Sequence, residues 1–110
     1  MMNLPLSVAA AGLLRALLAR VGPNRDRILL IQFDSTEWQS LTFIGERHKI
    51  QLRVIGSDAK DIASELTTGI EAVEFAIRGH LVADIGAAGP LSRDDDGSVT
   101  VDLEALTIAE

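Results

Sequence analysis

A chain of 110 residues is one domain by size, long enough to close a single hydrophobic core without staples. Its 47% apolar and 24% charged residues give a globular rather than a disordered composition, and the lack of cysteine excludes disulfides, thiolate chemistry and Cys-based metal sites. The formal net charge of −6 is uneven, with seven basic against four acidic side chains in residues 1–55 and three against twelve in residues 56–110, a surface that disfavours nucleic acid and anionic membranes. A cysteine-free chain suits a reducing compartment, so the cytoplasm is the expected location. The asymmetry of charge would also let a basic edge of one copy meet an acidic edge of another.

Residues 4–21 read as a helix. Leu6, Ala10, Leu13, Leu14, Leu17 and Val21 fall on one stripe. Pro5 suits a first turn, and Gly22-Pro23 is a stop. The rest of its surface is odd, because Ser7, Arg15 and Arg20 are the only clearly polar side chains between Leu4 and Val21. A helix on one side of a sheet normally carries a charged outer face, so an apolar circumference implies burial on more than one side. A membrane span would need about 20 apolar residues, and Arg15 interrupts this stretch. A signal peptide would carry basic residues ahead of the apolar run. What remains is a helix packed on its own sheet and on a second molecule, with Val8, Leu14 and Leu18 as contacts outside its core stripe.

Residues 27–34 form an apolar run of strand length, apolar on both faces, which suggests an interior strand or one covered on both sides. Asp34–Glu37 reads as a turn. Trp38 follows it and reads as a cap on the edge of the core, with service as a partner's anchor as its other use. Residues 41–44 and 49–55 make a hairpin around Gly45-Glu46-Arg47. Its second arm alternates, with Ile50, Leu52 and Val54 inward and Lys49, Gln51 and Arg53 outward.

Gly56-Ser57-Asp58 opens a second helix, capped by Ser57 or Asp58, with Asp61 near its positive end. Ala59, Ile62, Ala63, Leu66, Ile70 and Val73 form its stripe, and its end falls between Gly69 and Phe75. Strands follow at 80–85 and at 98–103, the latter extending towards Ile108, with Asp94-Asp95-Asp96-Gly97 as the turn between them. The class is α+β: an antiparallel sheet of about five strands with two helices, in the order α-β-β-β-α-β-β.

Residues able to do chemistry are few. His48 beside its hairpin turn reads as solvated polarity. His80 and Asp84 in a strand would share a face yet stand about 13 Å apart, too far for one metal or a catalytic pair. Asp94–Gly97 resembles part of a calcium loop, but Ser92 and Leu103 stand where that loop needs acids. There is no G-x-S-x-G elbow and no Walker or G-x-G-x-x-G loop, and Gly86-Ala-Ala-Gly89 runs into Pro90. The sequence therefore names no catalytic, cofactor-binding or metal residue.

In element order, size and acidity the chain resembles the secretion-chaperone-like fold, a class of small, often acidic and often dimeric proteins whose five-stranded antiparallel sheet carries helices and holds an extended client segment. The resemblance spans most of the chain without a sequence motif, so it transfers no functional residue, and it leaves no room before Glu110 for that class's third helix. It implies a non-enzymatic interaction or assembly module, homodimeric through the first helix, with a protein client as a further partner. The interface residues expected are Val8, Leu14, Leu18 and Trp38. The alternative is a small-ligand binder or enzyme with a pocket between helices and sheet, into which His80, Asp84 or Arg78 would project.

Overall fold

The structure is a computed structural model that describes residues 6–110; Leu4 and Pro5 of the first expected helix lie outside them. Helix α1 spans Val8–Ala19. Its cap is Ser7, whose Oγ accepts from the Ala10 amide at 3.1 Å and so satisfies one of the free N–H groups of the first turn. The helix buries Ala9, Ala10, Gly12, Leu13 and Leu17. Gly12 has a packing reason: a Cβ there would lie 2.7 Å from Cγ2 of Ile77, so its bareness lets the 76–78 segment close on the helix. Past Arg20 the chain turns into a 3-10 helix, Gly22–Arg27.

Helix α2 spans Ala59–Thr67 and buries Ala59, Ile62, Ala63 and Leu66, the expected stripe. It stops before Gly69, whose φ of +69° is left-handed, and a separate 3-10 turn, Ile70–Ala72, follows. Arg20 donates from Nε to the Leu66 carbonyl at 2.9 Å and from its terminal nitrogen to the Thr68 carbonyl at 2.9 Å. A cation thus meets the carbonyl end of α2, where the helix dipole favours it, and the two helices are tied into one layer.

The sheet consists of β1 (Ile28–Gln39), β2 (Ile44–Val54), β3 (His80–Ala87), β4 (Ser92–Arg93) and β5 (Val99–Ala109). The order is β1-β2-β5-β3, with β4 beside β5, and every pairing is antiparallel. The chain is therefore α+β, with a five-stranded antiparallel sheet. Two strands precede α2 and three follow it, because residues 28–54 form one long hairpin. Asp34–Glu37, expected as a turn, lies inside β1 opposite Glu46–Lys49. The reversal occurs at Ser40–Phe43, where the Ser40 amide donates to the Phe43 carbonyl and the Phe43 amide to Ser40 Oγ. Continuous ladder bonding along both strands outweighs the local turn preference of a few polar residues.

Along β2 and β5 burial alternates. Ile50, Leu52, Val54, Val101 and Leu103 lie under the helices in one core with Leu13, Leu17, Ile62 and Leu66. The other face of the sheet carries no helix. β1 proves to be an edge strand rather than an interior one. Its two-sided apolarity leaves Leu29 and Ile31 exposed. Gly45, expected as a turn glycine, sits in β2 where a Cβ would come within 2.0 Å of the Thr107 carbonyl oxygen, so the close approach of β2 and β5 requires glycine. Gly45→Ala is expected to lower stability by about 2–3 kcal/mol, whereas Gly89→Ala, at a position with nothing within 4 Å, leaves it unchanged; urea unfolding of the two variants checks the contrast.

Candidate functional site

The most chemically equipped place on the helix side of the sheet is its hairpin end. His48 is on the inward face of β2 and only 1% exposed, not a solvated turn residue. The alternation that turns Ile50, Leu52 and Val54 inward, carried one step back, turns His48 inward too. Both ring nitrogens are engaged. Ser35 Oγ of β1 lies 2.7 Å from Nδ1, Thr107 Oγ1 of β5 lies 2.8 Å from Nε2, and the Phe33 ring meets the imidazole edge-on at 5.7 Å. Next along β2, Glu46 accepts from Ser7 Oγ at 2.7 Å, so the start of α1 is fastened beside His48.

The proton arrangement follows from burial. Thr107 is fully buried, and His48 is the hydrogen-bond partner of its hydroxyl among the described residues. A buried hydroxyl proton needs an acceptor, so Thr107 donates to Nε2. The ring hydrogen then sits on Nδ1 and is donated to Ser35. In this tautomer His48 offers Ser35 no lone pair with which to take its proton, so the trio does not form a nucleophile with its base. Burial lowers the His48 pKa below the usual histidine value, partly opposed by the nearby Glu46 charge and reinforced by His80. Protonation would also force Thr107 to accept, leaving its own hydrogen without a partner.

A depression of about 220 Å³ opens beside this trio, lined by Glu37, Glu46, His80 and Thr107 among others. His80 thus does face a hollow. Asp84 does not join it. A bulge between Val82 and Asp84 shifts the register of β3, so that His80 pairs with Ala109 on the helix side and Asp84 with Leu106 on the open side. The expectation that the two share a face is corrected by that bulge. Arg78 lines a separate groove with Val8, Gly12, Arg15 and Ala16 of α1.

The open face has two characters. Across its middle, Asp34, Lys49 and Glu104 stand in one cross-strand row, by a hollow of about 260 Å³. Towards the hairpin, the row Trp38, Gly45, Ile108, Leu81 runs across all four long strands. Trp38 is half-buried there, opposite a glycine that leaves room for its ring. Beyond it the loop exposes Leu41 and Phe43.

Comparison with protein-family models, curated proteins and solved structures found no match. The reading of this surface therefore rests on its own chemistry. Among the described residues no group of three His, Asp or Glu side chains could hold a metal ion, and no helix is long and apolar enough to cross a membrane. The Asp94–Asp96 turn uses its carboxylates internally: Asp96 accepts from the Ser98 amide and hydroxyl, and Asp94 from the hydroxyls of Ser98 and Thr100. The Ser98 bonds hold the Asp96 carboxyl below the usual range.

Of the expected interface residues, Val8 is 74% exposed. Leu14 and Leu18 are half-buried and pack against the chain's own core. Sequence reasoning missed Ser35, Glu46 and Thr107, whose partnership with His48 depends on strand register.

The lowered His48 pKa fixes the sign of a pH effect. Above about pH 6.5, the ordinary histidine value, folded and unfolded chains both hold His48 neutral. Below it the unfolded chain takes up a proton that the folded chain does not, so His48 makes folding stability fall as pH drops, by at most about 1.4 kcal/mol per pH unit, until the folded-state pKa is passed. A His48→Gln variant is expected to lose less stability between pH 7.5 and 5.5 than the parent, measured by urea unfolding at several pH values.

Proposed function

We propose that the chain is a non-enzymatic interaction and assembly module that acts as a homodimer, in the cytoplasm. One observation carries the reading: the uncovered apolar surface collects on one hairpin. Leu29 and Ile31 on β1, Leu41 and Phe43 in its loop and Ile44 at the start of β2 are all exposed. Single exposed leucines need no explanation, whereas a concentration of them marks a surface that meets another protein. The His48 trio supports the non-enzymatic half of the reading, since its buried hydroxyl fixes the tautomer that leaves Ser35 unactivated. The likeness to secretion-chaperone-like proteins in size and acidity points the same way, with a second copy of the chain as the partner.

The part played by α1 is narrower than its composition suggests. Leu14 and Leu18 serve the chain's own core, which leaves Val8 as the helix residue free to touch a partner. Leu14→Glu and Leu18→Glu therefore test folding, and each is expected to cost about 1–3 kcal/mol. Val8→Glu tests association without that penalty. In light scattering over a micromolar range, the parent is expected to show twice the mass of one chain. A single-chain mass throughout would end the reading.

A further inference from the structure

The two edges of the sheet are treated differently. On the β3 side, the 3-10 turn Ile70–Ala72 packs alongside, and Glu71 reaches within 3.7 Å of where Gly86 would carry a Cβ. On the other side, β1 pairs with β2 alone. Its outer backbone N–H and C=O groups have no ladder partner among the described residues. This edge is 12 residues long and contains no proline, lysine or arginine, the residues with which exposed edges are commonly blunted. Ile31, which a bulge leaves without a partner in β2, is 42% exposed, and Leu29 43%.

The charges along this edge are ordered. Arg25 and Arg27 stand just before the strand, Leu29, Leu30 and Ile31 follow, and Asp34 and Glu37 lie in the second half. A strand that is basic at its start, apolar in its middle and acidic towards its end is complementary to itself when reversed. Two copies laid antiparallel about an axis near Ile31 bring the arginines of each alongside the acids of the other, twice, with the apolar segments between them. Parallel alignment would set like charge against like.

We propose that β1 pairs antiparallel with β1 of a second copy, so that one continuous sheet runs through the dimer. The proposal rests on the homodimer reading above and names its seam. The pairing would satisfy the free backbone groups, cover Leu29 and Ile31, and use a two-fold axis in which the same surface serves both partners. Arg27 already lies 3.6 Å from Asp58, an exposed pair of small worth. Arg25 and Glu37, which make no ion pair among the described residues, are the cleaner couple to test.

The experiment measures the dimer dissociation constant by sedimentation velocity. Ile31→Lys sets a charge at the centre of the seam and is expected to weaken the dimer by at least about tenfold. Arg25→Glu and Glu37→Arg are each expected to weaken it about tenfold through two symmetry-related repulsions. The double reversal is expected to recover affinity to within about threefold of the parent. That recovery cannot come from a variant that merely fails to fold, so it decides the matter even if Ile31→Lys proves unstable. A parent dimer whose affinity is unmoved by all three single changes overturns the seam and leaves the homodimer reading standing. A parent that is monomeric throughout removes both.

Discussion

The fold depends on β5. This strand lies between β2 on one side and β3 with β4 on the other, so its backbone groups are paired along both edges. Its side chains alternate without interruption, with Val99, Val101, Leu103, Ala105 and Thr107 all buried. One face of the sheet is covered by helices and the other is not. A slip of one residue in this strand would therefore turn its whole apolar set into water, and the register of every neighbour is locked through it. Thr107 belongs to that inward series, so the correct register is also what delivers a hydroxyl to His48.

The polar trio fastens that end of the sheet. Three strands contribute to it, Ser35 from β1, His48 from β2 and Thr107 from β5, and the adjacent Ser7–Glu46 bond brings in the cap of α1. A buried polar group is expensive unless it is bonded, so each bond here constrains its neighbours. Only one tautomer satisfies Thr107, and that tautomer fixes what Ser35 can accept. A solvated histidine at a turn would impose none of these conditions. Burial makes His48 a register marker for three strands at once.

Periodicity made some of this legible in the sequence and hid the rest. α2 and β5 were readable because each keeps one period along its length: Ile62, Ala63 and Leu66 on a helical stripe, Val99, Val101 and Leu103 on an alternating one. The long hairpin was not. Polar Asp34–Glu37 has the composition of a turn but is held extended opposite Glu46–Lys49, while the true loop contains apolar Leu41 and Phe43. Gly45 has the chemistry of a turn residue and serves a close strand approach instead. The candidate site shared that fate. His48 could have been turned inward by extending the alternation of Ile50, Leu52 and Val54, whereas Ser35 and Thr107 are joined to it only by pairing across three strands. The apolar face of α1 was legible as well, but not that its own sheet would absorb Leu14 and Leu18.

The bulges in the two outer strands were in fact written in their apolar spacing. In β1 the inward positions are Ile28, Leu30 and then Phe33, a change from even to odd numbers that a regular strand of period two cannot accommodate. Without the extra residue between Leu30 and Gln32, either Phe33 would face water or Asp34 would face the core. β3 makes the same change between Val82 and Ile85, and that shift sends Asp84 to the open side, away from His80. Each bulge thus preserves core packing on an edge strand where the ladder is bonded on one side and can be interrupted at lower cost. The consequences for the two edges differ. In β3 the interruption separates two titratable side chains and the edge is flanked by a 3-10 turn. In β1 it frees Ile31 from its partner on a side where the chain supplies no cover of its own, so the device that completes the core is also what leaves an apolar residue at the open rim of the sheet.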